Sequence, residues 1–302
     1  MYTTLISAEQ LKHLVHDHKP LMVFDCSFEL MKPAEGDAQY ERLRVAGAVR
    51  ADLDRHLSAH SVRAELVEAG SPSTSSGRSD MTASGGRHPL PKPEVFAAWL
   101  ARVGFQSDMQ AVVYDRQGAN YCGRLWWMLK WVGHENVAVL DGGLQAWEAV
   151  NGPVATGPDL PRVPSSYKAG TPRARLATTD DVLKHLELPD QTLIDARAPA
   201  RFRGEVEPLD PVAGHIPGAL NRPFGENLGP DGKFKSPAQL KAEFEALLGG
   251  RRPSTVVHHC GSGVSALPNL LAMEVAGLGR GALYAGSWSE WCAHPARPVA
   301  QG

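Results

Sequence analysis

Residues 255–271 read TVVHHCGSGVSALPNLL. The run TVVHH is short, β-branched and unalternating, the pattern of a strand buried on both faces of a parallel sheet. A small glycine-bearing segment, CGSGVSA, follows, and then a Leu-rich stretch with the character of a helix. The order strand, tight loop, helix predicts an α/β fold. It also puts Cys260 at the C-terminal end of a strand, where the ligands of such sheets gather. Gly261 and Gly263 let the backbone turn its N–H groups inward, and the helix that follows adds the positive end of its dipole. The loop is therefore suited to hold an anionic, nucleophilic sulfur. Taken alone, the same loop also fits a small buried residue at a strand end, a common place for cysteine.

Working outward, the chain is written twice. LMVFDC (21–26) matches TLIDAR (192–197), and AGAVRADLD (46–54) matches PGALNRPF (217–224). AVVYD (111–115) matches TVVHHC (255–260), and VLDGGLQAW (139–147) matches LYAGSWSEW (283–291). Gly47 and Gly218 are 171 residues apart, but Val113 and Val257 are 144 apart, so the first copy carries about 27 extra residues between Gly47 and Val113. The Ser-, Gly- and Thr-rich segment 61–84 is where an inserted surface loop is expected. Helices are expected over 95–104, 124–133 and 267–277, each ending in Gly. The prediction is two tandem α/β domains, 1–150 and 173–302, each a central, mainly parallel sheet flanked by helices. The Pro- and Gly-rich stretch 151–172 is expected to join them as a strap without regular structure. The partner of Cys260 in the first copy is about Asp115, which suggests one working site and one degenerate copy.

Composition narrows the function. With 31 Lys and Arg against 33 Asp and Glu, the net charge is -2, and no basic stripe points to a nucleic-acid or anionic-membrane partner. No apolar run is long enough for a membrane span, and the N-terminal text does not read as a signal peptide. The four cysteines, Cys26, Cys122, Cys260 and Cys292, form no CxxC pair, so free thiols in a reducing cytoplasm are expected. A phosphatase of the Cys-x5-Arg type is disfavoured because Ala266 stands where its Arg is needed. His258 and His259 suggest metal ligands at first sight, but adjacent strand residues face opposite sides and no partner cluster is evident. Trp126, Trp127 and Trp131 sit at helical spacing and are expected in the core.

The segments DARAPARFRGEVEP…GHIPGA (195–219), VVYDRQGA…RLWWMLKWVGH…VLDGG and CGSGVSA together resemble the tandem rhodanese-type sulfurtransferases, over nearly the whole chain except 61–84. The resemblance implies a supporting first domain and a second domain carrying Cys260 as the nucleophile, with a persulfide as intermediate. A neutral loop, with no Lys or Arg from 261 to 266, resembles the 3-mercaptopyruvate enzymes, whereas basic loops accompany thiosulfate use. The resemblance further implies a proton relay of Ser262, His88 and Asp54, a carboxylate clamp at Arg201, and a backbone cradle from Gly261, Gly263, Val264 and Ser265. Arg197 is expected to be structural. The family's second substrate arginine falls near Leu209 or Asp210, so another cation, such as Arg203, is needed in its place. The implied partners are a small-molecule sulfur donor and a thiol, cyanide or thioredoxin-like acceptor. No metal or organic cofactor is called for. A thiosulfate:cyanide sulfurtransferase and a persulfide carrier or sensor with little turnover are the alternatives.

Overall fold

The structure, a computed structural model, describes residues 1–59 and 82–302. Most of the insertion expected over 61–84 lies outside the described residues; 82–84 lie within them. The chain divides into two compact units. The first comprises Met1–Ala83, Leu90–Arg173 and Asp231–Lys233, and the second Ser84–Pro89, Ala174–Pro230 and Phe234–Gly302.

The first unit is built on strands β1 (Leu5–Ile6), β2 (Leu21–Asp25), β4 (Val49–Arg50), β5 (Gln110–Tyr114) and β6 (Val137–Leu140), in the order β1-β6-β5-β2-β4 and parallel throughout. The second uses β8 (Arg175–Ala177), β9 (Thr192–Asp195), β10 (Leu220–Asn221), β11 (Val256–His259) and β12 (Ala282–Tyr284), in the order β10-β9-β11-β12-β8, again all parallel. The two orders are the same once β1, β2, β4, β5 and β6 are matched to β8, β9, β10, β11 and β12. Register makes the match residue by residue: Asp25 lies beside Tyr114 as Asp195 lies beside His259. Asp115 and Cys260 are therefore equivalent, each the first residue beyond the central strand.

The central strands are buried along their length because helices cover both faces. In the second unit Leu193 and Val257 pack on one face with Trp288 and Trp291, while Ile194 and Val256 pack on the other with Leu240, Phe244 and Leu248. Those last three fall at i, i+4 and i+8 of the helix Pro237–Leu248, which Ser236 caps through Gln239 N–H and Gly249 closes at φ +55°. Truncating Phe244 to Ala would cost about 3–5 kcal/mol by the usual rule for a buried ring. In the first unit the helix Cys122–Trp131 is buried at every position. Trp126 and Trp127 have no exposed surface, and Trp131 stacks on Trp127 with ring centroids 5.6 Å apart. These tryptophans are core, as expected. The buried cations on the same helix are satisfied: Lys130 bonds Glu135 at 2.8 Å, and Arg124 donates to the Leu57 carbonyl.

The stretch 151–172 departs from its expectation at one place. Val154–Ala155 forms β7, antiparallel to β3 (Arg44–Val45). The pairing is local and short, which composition does not register. Further along, Ser165 N–H donates to the Ala101 carbonyl and Gly170 N–H to the Val132 carbonyl. The segment is thus tied along the first unit.

Two features fix the turn after β11. Gly263 has φ +74°, and a Cβ there would lie 2.3 Å from the Ala285 carbonyl oxygen, so only glycine fits. The helix that follows, Leu267–Val275, is anchored by a buried amide network: Asn269 donates to the Arg222 carbonyl at 2.8 Å and accepts from Asn227 at 2.6 Å. Arg222 in turn donates its N–H to the Asp195 carbonyl and its guanidinium to Glu243 at 2.8 Å.

Gly263→Ala combines a strained backbone with a backbone clash and is expected to lower unfolding stability by roughly 2–4 kcal/mol. A urea melt checks this, and a change below about 0.5 kcal/mol would contradict the geometry. Burial acts to raise the Glu243 carboxyl, but hydrogen bonds from Arg222, Lys235 and Gln239 outweigh it and hold the group down to about 2. A carboxyl depressed in the folded state stabilises fully above its unfolded value of about 4.3, and the contribution fades as pH falls toward the folded value. Glu243→Gln is accordingly expected to be less stable than the parent at about pH 7, with the gap narrowing below about pH 4 and closing only below about pH 2. An unchanged gap between the two across paired melts would show that Glu243 does not titrate in this way.

Candidate active site

Cys260 is 2% exposed and is gripped at both ends of its peptide. Its N–H donates to Ser287 Oγ at 3.1 Å, and its carbonyl accepts Trp288 N–H at 2.9 Å. The next carbonyl, of Gly261, accepts Ser289 N–H at 2.9 Å. The helix Ser287–Trp291 thus starts on the cysteine. Ser287 is buried and has φ +54°, uncommon for a residue with a side chain. Its repeat partner is Gly143, at φ +59°. A serine is held where the first copy uses glycine because its hydroxyl accepts from Cys260 and donates to the Tyr284 carbonyl at 2.9 Å. The glycine-to-serine difference is the one signal of this contact in the repeated sequence.

The N–H groups of Gly261, Ser262, Val264 and Ser265 take no acceptor among the described residues. In the equivalent loop of the first unit the arrangement is filled. The Asp115 carboxylate accepts N–H groups from Gln117 (2.9 Å), Ala119 (3.0 Å), Tyr121 (2.8 Å) and Cys122 (2.9 Å). The first copy therefore shows a loop of this kind holding an anion.

Ser262 is 7% and His88 5% exposed, and Ser262 Oγ lies 2.7 Å from His88 Nδ1. The segment Ser84–Pro89 groups with the second unit, so this pairing belongs to one compact body. It is seated on the helix Ser287–Trp291: Arg87 N–H donates to Ser289 Oγ at 3.0 Å, and Gly85 N–H to Glu290 Oε2 at 3.2 Å. Asp54 belongs to the first unit. There Asp52 Oδ1 accepts the N–H groups of Asp54 and Arg55, which makes Asp52 the turn-forming acid of that stretch.

Arg201 Nε and Nη2 pair with Glu207 at 3.2 and 2.7 Å, and Nη2 also meets Asp210 at 3.2 Å. Arg87 pairs with the same Asp210 at 2.5 Å. The Glu207 and Asp210 side chains are only 4% exposed. Arg203 is not the substitute cation, because it points to Glu205 in an exposed pair. Arg87 adjoins His88 but carries no signal in the sequence, because its partner lies 123 residues away. Arg197 is structural, as expected: it clamps Asp195 at 2.7 Å, donates to the Gly214 carbonyl and lies over the Trp288 ring. His258 and His259 are fully buried in β11, and burial drives the His258 imidazole down to about 3. Its neutral ring packs beside Gly281. The second unit thus brings together a buried thiol, a hydroxyl–imidazole pair and two guanidinium groups held by Glu207 and Asp210.

Comparison with known proteins agrees with this architecture. The Rhodanese-like domain family matches residues 7–150 and 178–294. The chain is 43% identical over 300 residues to the Pseudomonas aeruginosa protein named "Probable 3-mercaptopyruvate sulfurtransferase", covering 99% of this chain and 98% of that one. It is 38% identical over 222 residues to the thiosulfate sulfurtransferase of Bos taurus, covering 70% and 73%. Among solved structures it is similar to SseA of Escherichia coli, a 3-mercaptopyruvate sulfotransferase, with a TM-score of 0.73, 30% identity and coverage of 95% and 100%. Two matched domains, the shared strand order and full-length identity together show that this chain belongs to the rhodanese family.

Proposed function

We propose that the chain is an enzyme that transfers sulfur from 3-mercaptopyruvate to a thiol or cyanide acceptor through a persulfide on Cys260. The observation that carries this is the Ser262–His88 pair at 2.7 Å, two residues beyond the nucleophile. A donor whose leaving group is a carbanion needs a proton delivered, whereas the sulfite that leaves from thiosulfate needs none. The full-length relative from Pseudomonas aeruginosa, by its name, supports the same donor.

The mechanism uses the residues already described. The Cys260 thiolate attacks the donor sulfur, forming the S–S bond as the donor's C–S bond breaks. The electron pair of that bond passes into the enolate of pyruvate. The proton that the donor thiol brings in ends on the enolate carbon, through the Ser262 hydroxyl and His88, leaving pyruvate and a Cys260 persulfide anion. The N–H groups of Gly261, Ser262, Val264 and Ser265 cradle the persulfide, and Arg201 holds the donor carboxylate. A cyanide or thiolate acceptor then attacks the outer sulfur, and Cys260 leaves as thiolate. The relay assigned here rests on Ser262 and His88; Asp54 lies in the other unit. The four cysteines are free thiols, which supports a reducing, cytoplasmic setting. Among the described residues no helix is long and apolar enough to cross a membrane.

Turnover with 3-mercaptopyruvate and with thiosulfate, under one acceptor, tests the donor. A kcat/KM higher for 3-mercaptopyruvate is expected, with ping-pong kinetics. A preference for thiosulfate would overturn the donor assignment, and a single turnover with neither would indicate a persulfide carrier. Cys260→Ser is expected to abolish transfer. Ser262→Ala is expected to lower kcat with 3-mercaptopyruvate about a hundredfold, in the range for a lost proton donor, with a much smaller effect on thiosulfate. Equal losses on both donors would remove the relay role.

A further inference from the structure

Resting on the proton delivery proposed above, we infer that Ser289 and Glu290 are positioning residues whose side chains fix the segment that brings His88 to Ser262. Both lie on the short helix Ser287–Trp291, whose first residues already hold the Cys260 peptide. Helical side chains lean toward the N-terminal end, so the polar tips of residues 289 and 290 arrive at the end of the helix that carries Cys260. There, within the second unit, they meet the backbone of residues 85–87. Gly85 N–H donates to Glu290 Oε2 at 3.2 Å, and Arg87 N–H donates to Ser289 Oγ at 3.0 Å. Ser289 Oγ in turn donates to the Gly286 carbonyl at 3.2 Å. Between the two anchor points sits Gly86, at φ +85°, and a Cβ on it would lie 2.6 Å from that same Gly286 oxygen. Three successive residues are pinned in this way. The next is His88, whose Nδ1 lies 2.7 Å from Ser262 Oγ.

The surroundings are shaped around the Glu290 head group. A Cβ at Gly85 would lie 2.8 Å from Glu290 Cδ, and one at Gly286 would fall on Glu290 Oε2, so the backbone on both sides of the carboxylate is glycine. The first copy separates the contacts that belong to the fold from those that do not. Its equivalent helix is Gly143–Ala149, and Leu144 N–H donates to the Asp115 carbonyl as Trp288 N–H donates to that of Cys260. The backbone grip is therefore common to both copies. The side-chain acceptors are not. Gln145 stands for Ser289 and turns its amide to the Arg116 carbonyl, and Ala146, with no polar side-chain atom, stands for Glu290. The hydroxyl and the carboxylate occur in the copy that carries the thiol. One helix of five residues thus places the thiol through its backbone and the imidazole through two side chains. The spacing of nucleophile and proton relay is set across a single rigid element.

Ser289→Ala and Glu290→Ala each remove one acceptor and leave the helix backbone on Cys260 and Gly261. Each is expected to lower kcat with 3-mercaptopyruvate about tenfold, in the range for a misplaced catalytic group, with little change in KM. The loss with thiosulfate is expected to stay within about twofold, because sulfite leaves without a proton. Ser289→Thr, which keeps the hydroxyl, and Glu290→Gln, which keeps an acceptor, are expected to recover most of the loss. In a Ser262→Ala background neither alanine variant is expected to add to the loss already present. If Ser262→Ala discriminates between the donors and these variants do not, the assignment is overturned, as it is by absent rescue or by full additivity. If Ser262→Ala does not discriminate either, the relay itself has failed, and a readout without donor decides the positioning. In NMR spectra of protein carrying isotope-labelled histidine, the His88 ring signal, identified by its loss in His88→Gln, reports the bond to Ser262. Ser289→Ala is expected to move it toward its place in Ser262→Ala. A moved signal supports the positioning even if thiosulfate proves the better donor, and an unchanged signal overturns it. Should Ser289→Ala fail to fold, Glu290→Ala carries both measurements.

Discussion

The hydrogen bond from Trp288 N–H to the Cys260 carbonyl is the interaction on which the second unit's chemistry depends. A residue at the end of a central parallel strand leaves the ladder with its backbone groups unsatisfied. Here the start of the next helix supplies what the ladder no longer can, with Trp288 N–H on one side of the peptide and Ser287 Oγ on the other. The cysteine is held by its backbone, which leaves its side chain free of a structural duty. The strain at Ser287 and the close approach at Gly263 are consequences of bringing that helix so near.

Charge is handled by the same economy of parts. Asp195 and Arg197 form a buried pair with Glu207 beside them, and Arg201, Glu207, Asp210 and Arg87 continue it toward the catalytic loop. Burial would raise the Asp195 carboxyl, and the neighbouring His259 ring and Arg197 guanidinium, with the hydrogen bonds from Arg197, keep it below its ordinary value. A buried pair of this kind adds little net stability against a well-packed apolar alternative, but it fixes geometry, because removing one member strands the other. The cost is carried at the place where orientation matters most.

Much of this was legible in the sequence because it is periodic or repeated. The duplicated strand order, the strand–loop–helix junction at Cys260 and the core tryptophans follow from apolar pattern and from the matched segments. Ser262 and His88 were named from the resemblance, and they do meet. What was not legible depends on pairing between distant segments. Arg87 finds Asp210 across 123 residues, and nothing in GGRHPLP distinguishes it from a solvated cation. β7 is two residues long and exists only because β3 is beside it, so the Pro- and Gly-rich text around it gave no signal. Ser287 was visible only as a departure from Gly143 in the repeat, and its significance needs the φ angle.

The carboxylate of Asp115, inside the first unit's loop, is in effect a tethered ligand. Its four N–H partners are ordered whatever the solution contains, so that loop is part of the folded core. In the equivalent loop, the N–H groups of Gly261, Ser262, Val264 and Ser265 take no such acceptor among the described residues, and on the proposed chemistry their order is linked to the sulfur that Cys260 carries. On the proposed chemistry, the sulfur-loaded protein gains internal hydrogen bonds that the resting thiol form lacks, and anything bound only by the native state stabilises it. A carboxylate at Asp115 and a thiol at Cys260 thereby separate a loop filled by its own side chain from one whose rigidity, on the proposed chemistry, reports its load.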